Sequence, residues 1–203
     1  MNDSRFYTID GIPYPSVTTI LKVLAIPALV PWAAKLAIEK GDADAWRILL
    51  KEAGESGTLA HAAAREAAQP GAYPNLPETP YQEAITAFFT QMKPKVLGTE
   101  LVVVNKTHGY AGTLDLLAVI RGTKYVVDYK TSRAIYPDHA LQVEAYRWAV
   151  PTENPLVSPP IADATAIVLL RKDGTFAFKV VEADFGIFLA AKRLWQWRET
   201  HQG

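Results

Sequence analysis

The sequence predicts a mixed α/β (α+β) fold, with a central mixed β-sheet flanked by helices and an N-terminal helical region before it. An Ala-rich stretch from Ala28 to Ala68 has apolar residues at helical spacing. Runs rich in Val, Leu, Ile and Tyr follow between residues 100 and 129 and return near the end of the chain. We therefore expect a single domain over residues 1–203, mainly helical over 1–93, with the sheet over 94–203.

A hairpin and a short helix are predicted at the start of the chain. The segment Phe6–Tyr14 alternates around Asp10-Gly11, a dipeptide that favours a tight β-hairpin. Ser16 is of the type that caps a helix, and the apolar residues after it recur at helical spacing.

The helical region is predicted to consist of several pieces. Gly41 and Gly54 interrupt the Ala-rich stretch, so we expect breaks near both, with the following pieces capped by Asp42 and by Glu55 or Ser56. Residues 69–80 contain four prolines and predict a loop. A helix from Tyr81 to about Met92 completes this region.

Three consecutive strands are predicted next, namely Glu100–Val104, Gly112–Ile120 and Tyr125–Tyr129. Their short connections, with turn signals at His108-Gly109 and Arg121-Gly122, indicate antiparallel pairing.

The last third of the chain predicts a helix, two strands and a helix. Pro137 opens a helix to about Val150. Two strands, Ala166–Leu170 and Phe176–Val181, are predicted to form a hairpin around Asp173-Gly174. The first of them can instead lie parallel to the strand Tyr125–Tyr129. A helix from Asp184 to about Thr200 ends the prediction.

Composition excludes several kinds of chemistry. The chain has no cysteine, which rules out disulfides, thiolate zinc sites, cysteine-held iron–sulfur clusters and a cysteine nucleophile. The first twelve residues lack the pattern of a signal peptide, and no apolar run reaches the length of a membrane span, so we expect no membrane partner. The 21 basic and 21 acidic residues cancel, which by itself argues against a nucleic-acid partner.

Charged side chains interrupt two of the apolar strands. Asp115 lies inside the second strand, and Asp128 and Lys130 lie at the end of the third. An unpaired carboxylate there is costly, so each acid needs a partner. Residues two apart on a strand share a face, and an antiparallel neighbour can bring Asp115 beside them. Two carboxylates and an ammonium group on one face suit Mg²⁺ or Mn²⁺ and the activation of water near a phosphate.

A structural interpretation of these residues is equally good on spacing alone. Asp128 and Lys130 can form an ion pair at the strand end, and Asp115 can cap a turn. An isolated Asp-x-Lys pattern does not decide between the two interpretations.

An ordered set of motifs resembles a known family. Gly112-x-x-Asp115, Asp128-x-Lys130 and Gln142-x-x-x-Tyr146 follow one another on two strands and a helix. This order resembles the PD-(D/E)XK nuclease superfamily, with its restriction-endonuclease-like core, and more narrowly the RecB-like branch that includes phage-type exonucleases. Further segments resembling this branch are Gly57-Thr58-Leu59-Ala60-His61, Tyr14–Leu21 and Pro31–Lys35.

The resemblance implies roles for individual residues. The implied metal ligands are His61, Asp115, Asp128 and the backbone carbonyl of Tyr129, with Glu100 as a further candidate that can equally be a strand-edge charge. Lys130 is implied as the catalytic lysine, and Gln142 and Tyr146 as the residues that position it or the substrate. On its own, each would be assigned an ordinary structural role. The implied cofactor is Mg²⁺ or Mn²⁺, and the missing cysteines exclude the iron–sulfur subgroup.

Contacts with DNA are assigned to a second set of residues. Thr131 and Ser132 can donate hydrogen bonds to phosphate, and Arg133 adds a positive charge. Trp32 can stack on an unpaired base, although a core position is the more common use of a tryptophan. Residues 91–150 carry eight basic and five acidic side chains, so an excess of three positive charges surrounds the candidate site.

The expected function is that of a metal-dependent deoxyribonuclease. The resemblance implies an exonuclease that acts on DNA ends or single strands in phage or bacterial recombination, repair or processing, with a recombination protein as a candidate partner. It also implies the cytoplasm of a bacterial or phage-infected cell. Two alternatives stay open: a non-catalytic module that binds DNA ends, and a restriction-like endonuclease. Polarity and oligomeric state are not determined by the sequence.

Overall fold

The helices and strands follow the predicted order, with one additional short strand between the fifth helix and the last two long strands. The computed structural model describes residues 5–24, 29–69, 71, 76, 78–154 and 156–201, so the start of the predicted helical stretch at Ala28 lies outside the described residues. The elements are β1 (Phe6–Ile9), β2 (Ile12–Pro15), α1 (Val17–Leu21), α2 (Leu29–Lys40), α3 (Ala45–Ala67), α4 (Gln82–Met92), β3 (Lys95–Asn105), β4 (Tyr110–Ile120), β5 (Thr123–Lys130), α5 (Pro137–Arg147), β6 (Val150–Pro151), β7 (Ala164–Leu170), β8 (Phe176–Val181) and α6 (Phe185–Thr200).

A six-stranded mixed sheet with the strand order β6-β3-β4-β5-β7-β8 forms the centre. Strands β3, β4 and β5 are antiparallel neighbours, as predicted. Strand β7 pairs with β5 in parallel and with β8 antiparallel, so both arrangements considered for β7 are present together. The predicted fold class, mixed α/β with a central mixed sheet, is confirmed.

Helices cover both faces of the sheet. On one face, α3 and α4 pack through small and aromatic side chains, such as Ala64 and Phe88, against β4, β5 and β7. On the other face, α1, α5 and α6 pack against the same strands, with Val143 and Phe188 fully buried. Burial of apolar surface on both faces is the main force that holds helices to a sheet.

The predicted hairpin and its following cap are confirmed. Strands β1 and β2 pair antiparallel around Asp10 and Gly11, whose φ angles of 52° and 76° are those of a tight hairpin turn. The Ser16 side chain accepts a hydrogen bond from the backbone N–H of Thr19 and so caps α1. A bridge between Ser16 and Ala111 then attaches the hairpin to β4.

The predicted break at Gly54 is wrong, and so are the caps predicted at Glu55 and Ser56. Helix α3 runs through all three residues. A glycine inside a helix costs only about 1 kcal/mol relative to alanine. Four alanines of α3 are fully or almost fully buried against the sheet region, and this packing outweighs one unfavourable glycine.

The predicted break at Gly41 is confirmed, with a φ angle of 64° that favours glycine. The N-cap position of the next helix is Asp44, two residues later than the predicted Asp42, and the Asp44 side chain makes no capping hydrogen bond. The Asp42 carboxylate accepts the backbone N–H of Asp44 at 2.8 Å, so it organises the turn before the helix.

The helix predicted from Pro137 to Val150 ends at Arg147. Val150 and Pro151 form instead the short strand β6, which pairs with Val103 and Val104 of β3 at the sheet edge. Pro151 disfavours the helical conformation of Val150, which explains why Val150 is not part of the helix. Within the described residues, no helix is both long and apolar enough to cross a lipid bilayer.

Candidate active site

Strands β4 and β5 separate where the candidate site begins. Their ladder ends at the pair Leu116 and Val127, although β5 continues alongside β7 as far as Lys130. In the gap, the Asp115 carboxylate accepts the backbone N–H of Tyr129 at 2.8 Å. A side chain thus takes the place of the next backbone hydrogen bond, and this fixes the Asp115 carboxylate beside β5.

Asp128 and Lys130 lie side by side, as their spacing on β5 predicts. The Lys130 ammonium nitrogen is 2.7 Å from the Asp128 carboxylate, whose side chain is 2% exposed. A buried carboxylate needs such a partner because its transfer from water is costly. The ion pair of the structural interpretation is therefore present, and it lies within a larger group of polar residues.

Gln142 of α5 holds both members of this pair. Its carbonyl oxygen accepts a hydrogen bond from the Lys130 ammonium group at 3.0 Å, and its amide nitrogen donates to Asp128 at 2.9 Å. The same amide nitrogen lies 3.1 Å from the hydroxyl of Tyr146, one helical turn further along. One side chain thus fixes the orientation of the lysine and the aspartate together.

Tyr146 reaches this position because β4 has a glycine there. A Cβ atom built on Gly112 would collide with the Tyr146 ring. Strand and helix can approach this closely only where a side chain is missing. The first residue of the Gly-x-x-Asp motif therefore has a packing role that is distinct from the role of Asp115.

His61 approaches the two aspartates from helix α3 on the other side of the site. Its ring nitrogen Nδ1 is 3.2 Å from the Asp115 carboxylate, and its ring meets Tyr129 edge-on at 6.2 Å. Gly54, Gly57 and Thr58 lie on the same face of α3, since they precede His61 by seven, four and three residues.

Glu100 joins the site through an irregularity in β3. Its neighbours Thr99 and Leu101 pair with Leu116 and Leu114, so Glu100 lies opposite Asp115. Its φ angle is 51°, which is unusual for a residue with a side chain. Ligand atoms of His61, Glu100 and Asp115 all lie within 4.8 Å of one another.

Two carboxyl groups of the site, those of Asp128 and Glu100, have a raised pKa. Burial raises the pKa of Asp128, Lys130 lowers it and Asp115 raises it, with a net value of about 6. Burial and the charge of Asp115 likewise raise the pKa of Glu100, while positive charges that include Arg5 oppose them.

The basic groups of the site respond to the same negative charges. Burial lowers the pKa of His61, but Asp115 outweighs burial and raises the pKa to about 9. Burial lowers the pKa of Lys130 too, and again the neighbouring carboxylate, here Asp128, leaves it raised. The cluster therefore favours additional positive charge, which is the electrostatic condition for binding a cation.

The donor atoms fit a hard divalent cation. Two carboxylates and an imidazole within 4.8 Å of one another match the ligand preferences of Mn²⁺ and, through the oxygens, of Mg²⁺. Asp128 lies beside this group rather than in it, bound to Lys130 and Gln142. Its role as a ligand, and that of the Tyr129 carbonyl, remain predictions.

An open cleft of about 410 Å³ gives access to these groups. Its floor is formed by His61, Glu100, Asp115, Asp128 and Lys130. Arg5 and Thr113, which nothing in the sequence pointed to, also line it. Arg5 lies 110 residues from Asp115 in the chain, and no spacing rule connects the two.

The residues predicted to contact DNA are found at different distances from the cleft. A Cβ atom on Gly57 would lie 3.5 Å from the Thr131 hydroxyl, so the Thr131 side chain faces helix α3. The Ser132 hydroxyl donates to the carbonyl of Ala134 and supports the loop after β5. Arg133 is exposed in the same loop. Trp32 lies on α2 and is 38% exposed, so it is not a core residue.

Comparisons with known proteins give little further information. No protein-family model matches the chain, and no curated protein matches it closely. Among solved structures, the chain is similar to one described as the crystal structure of SSO0001, with 18% identity and a TM-score of 0.37. The match covers 58% of this chain and 55% of that one, so it spans about half of that structure. A similarity of this size carries no argument about function.

Proposed function

We propose that the chain is a divalent-metal-dependent deoxyribonuclease with a PD-(D/E)XK, restriction-endonuclease-like core of the RecB-like type. One observation carries this proposal. A lysine held by Asp128 and Gln142 lies next to three clustered side chains of the types that ligate metals, at the split between two strands. A structural ion pair alone requires neither the histidine from α3 nor the glutamate from β3.

His61, Glu100 and Asp115 would hold the cation, with Asp128 and the Tyr129 carbonyl as further ligands. When bound, a Mg²⁺ or Mn²⁺ ion supplies the Lewis acidity that phosphodiester hydrolysis needs. Asp115 is already fixed by the Tyr129 N–H, so its carboxylate loses little freedom when it becomes a ligand.

Lys130 supplies a fixed positive charge in the cleft. Gln142 and Asp128 orient its ammonium group. The Lys130 side chain is 18% exposed and lines the cleft. A preorganised cation of this kind stabilises the negative charge that builds up on a phosphate during attack by water. Tyr146 acts one step further away, since it contacts Gln142 and positions it.

The substrate of this proposal is DNA with a free end. The cleft is lined mainly by polar side chains, Arg5 and Lys130 among them, and α3 presents two glycines along it, which leaves space for a sugar–phosphate chain. The preference for ends, and a role in recombination, repair or processing, come from the resemblance to the RecB-like branch.

The test is digestion of DNA labelled at its 5′ or 3′ end, as single and double strands, beside a closed circle, with Mg²⁺ or Mn²⁺. We expect release of short products from the labelled ends and little cleavage of the circle. Asp115→Asn and Lys130→Ala should each reduce the rate at least 100-fold. Lys106→Ala removes an exposed lysine paired with Asp10 outside the cleft and should retain the wild-type rate.

The outcomes separate the candidate functions. Discrete fragments from the circle would indicate a restriction-like endonuclease instead. Binding of DNA ends without cleavage under any metal condition would indicate a non-catalytic module. Cleavage that Asp115→Asn and Lys130→Ala leave unchanged would show that the activity does not come from this site.

A further inference from the structure

Arg5 is an exposed residue that lines the cleft of the candidate site. It lies immediately before β1 and lines the same cavity as Glu100 and Lys130. Its positive charge acts on the Glu100 carboxyl. The residue before the N-terminal hairpin therefore brings a positive charge to a site whose other charged groups come from residues 61–130.

The backbone of Arg5 is fixed by the start of α1. Its N–H donates to the Thr19 hydroxyl at 2.8 Å, and its carbonyl accepts the backbone N–H of Ser16 at 2.9 Å. The Thr19 hydroxyl in turn accepts a hydrogen bond from the Ser16 hydroxyl at 2.9 Å. These contacts make the backbone position of Arg5 a property of the fold.

The side chain of Arg5 is directed by Tyr7. The guanidinium carbon lies 4.8 Å from the centre of the Tyr7 ring, a cation–π distance. The Tyr7 hydroxyl is 2.9 Å from the hydroxyl of Thr113, which also lines the cleft. Within the described residues, no ion pair of the guanidinium group is found, and the residue lines the cleft.

We propose that Arg5 binds a backbone phosphate of the substrate strand, next to the phosphate that reacts at Lys130. This inference rests on the proposed nuclease function and adds a substrate-binding residue that lines the same cleft. A guanidinium group offers two parallel donors to a phosphate, which a lysine cannot. The hairpin β1–β2, which is attached to β4 through the bridge between Ser16 and Ala111, thereby gains a role in substrate binding.

Arg5→Gln and Arg5→Lys test this role, with Arg121→Gln as the matched control. Arg121 is an exposed arginine in the turn between β4 and β5, and it is not among the residues that line the cleft. Binding of a fluorescent 12-nucleotide single strand is measured with Ca²⁺ at several salt concentrations. Cleavage kinetics are measured with Mg²⁺ or Mn²⁺, and thermal unfolding shows that each variant is folded.

Arg5→Gln should weaken binding and raise KM about tenfold, with kcat changed less than threefold. The slope of log affinity against log salt should fall by about 0.7, the value for one phosphate contact on a single strand. Arg5→Lys should restore the salt slope but only part of the affinity. Arg121→Gln should match the wild type in every measurement.

The two proposals fail in different ways. Cleavage by the wild type, together with unchanged KM and salt slope in Arg5→Gln, overturns the role of Arg5 alone. Binding without cleavage by the wild type overturns the nuclease function, and the Arg5 proposal then depends on the binding data. A loss of kcat without a change in KM would place Arg5 in the chemistry rather than in binding and would also overturn the inference. Absence of any oligonucleotide binding overturns both.

Discussion

The Tyr146 ring occupies the space in which Gly112 would carry a Cβ atom. Through its hydroxyl, Tyr146 contacts Gln142, which in turn binds Lys130 and Asp128. The close approach of β4 and α5 at Gly112 therefore determines where the polar side chains of the site are held.

Gly112→Ala should destabilise the protein and disturb the site at the same time. The added methyl group displaces a fully packed tyrosine, and overpacking of this kind costs about 1–3 kcal/mol. Urea unfolding measures the change in the free energy of unfolding, and the cleavage rate should fall as Tyr146 moves away from Gln142. A variant as stable and as active as the wild type would show that the approach is less tight than described.

Gly54→Ala should have the opposite effect on stability. Nothing lies within 4 Å of a Cβ built at this position, and Gly54 is inside the continuous helix α3. Alanine is favoured over glycine in a helix interior by about 0.5–1 kcal/mol. The free energy of unfolding in urea should rise by that amount, whereas a decrease would indicate that α3 is interrupted at Gly54 as the sequence suggested.

The glycines show which parts of this fold can be predicted from sequence. Gly11 and Gly41 lie at chain reversals, where local turn chemistry alone decides the structure, and both predictions hold. Gly54 has the same local signal, yet the packing of α3 on the sheet overrides it. Local patterns thus locate the elements, but they cannot weigh one unfavourable residue against the burial of a whole helix.

The site is predictable to the extent that its geometry is local. Asp128 and Lys130 share a strand face, and Gln142 and Tyr146 share a helix face, so spacing alone places each pair together. Glu100 depends on a backbone irregularity in β3 with a φ angle of 51°, which no residue pattern encodes. Arg5 depends on how the hairpin packs against β4, a contact between distant parts of the chain.

Gln142→Leu should show that the glutamine positions the charged pair. Leucine has a similar volume but leaves one hydrogen-bond position on Lys130 and one on Asp128 unsatisfied. We expect a loss of about 1–3 kcal/mol in the free energy of unfolding and a lower kcat. Tyr146→Phe removes only the hydroxyl and should lower the free energy of unfolding by about 1 kcal/mol. Equal losses in Gln142→Leu and Tyr146→Phe would contradict the larger role assigned to Gln142.

Removal and addition of the metal test the ligand cluster independently of any nuclease assay. A cation that binds only the folded state stabilises it, by about 2.7 kcal/mol at a concentration 100 times its Kd. Mn²⁺ should therefore raise the Tm of the wild type, and EDTA should reverse the increase. His61→Ala, Glu100→Gln and Asp115→Asn should each reduce or abolish the increase, because each removes one atom of the cluster.

Lys106→Ala serves as the control in the metal titration, since Lys106 pairs with Asp10 at the surface and has no contact with the cluster. Calorimetric titration with Mn²⁺ gives the number of ions bound and separates the ligands by the affinity that each variant loses. Asp128→Asn completes the comparison. A loss of affinity as large as that of Asp115→Asn would make Asp128 a direct ligand. A retained affinity with lost cleavage would instead assign Asp128 to the orientation of Lys130, the role in which its 2.7 Å ion pair already places it.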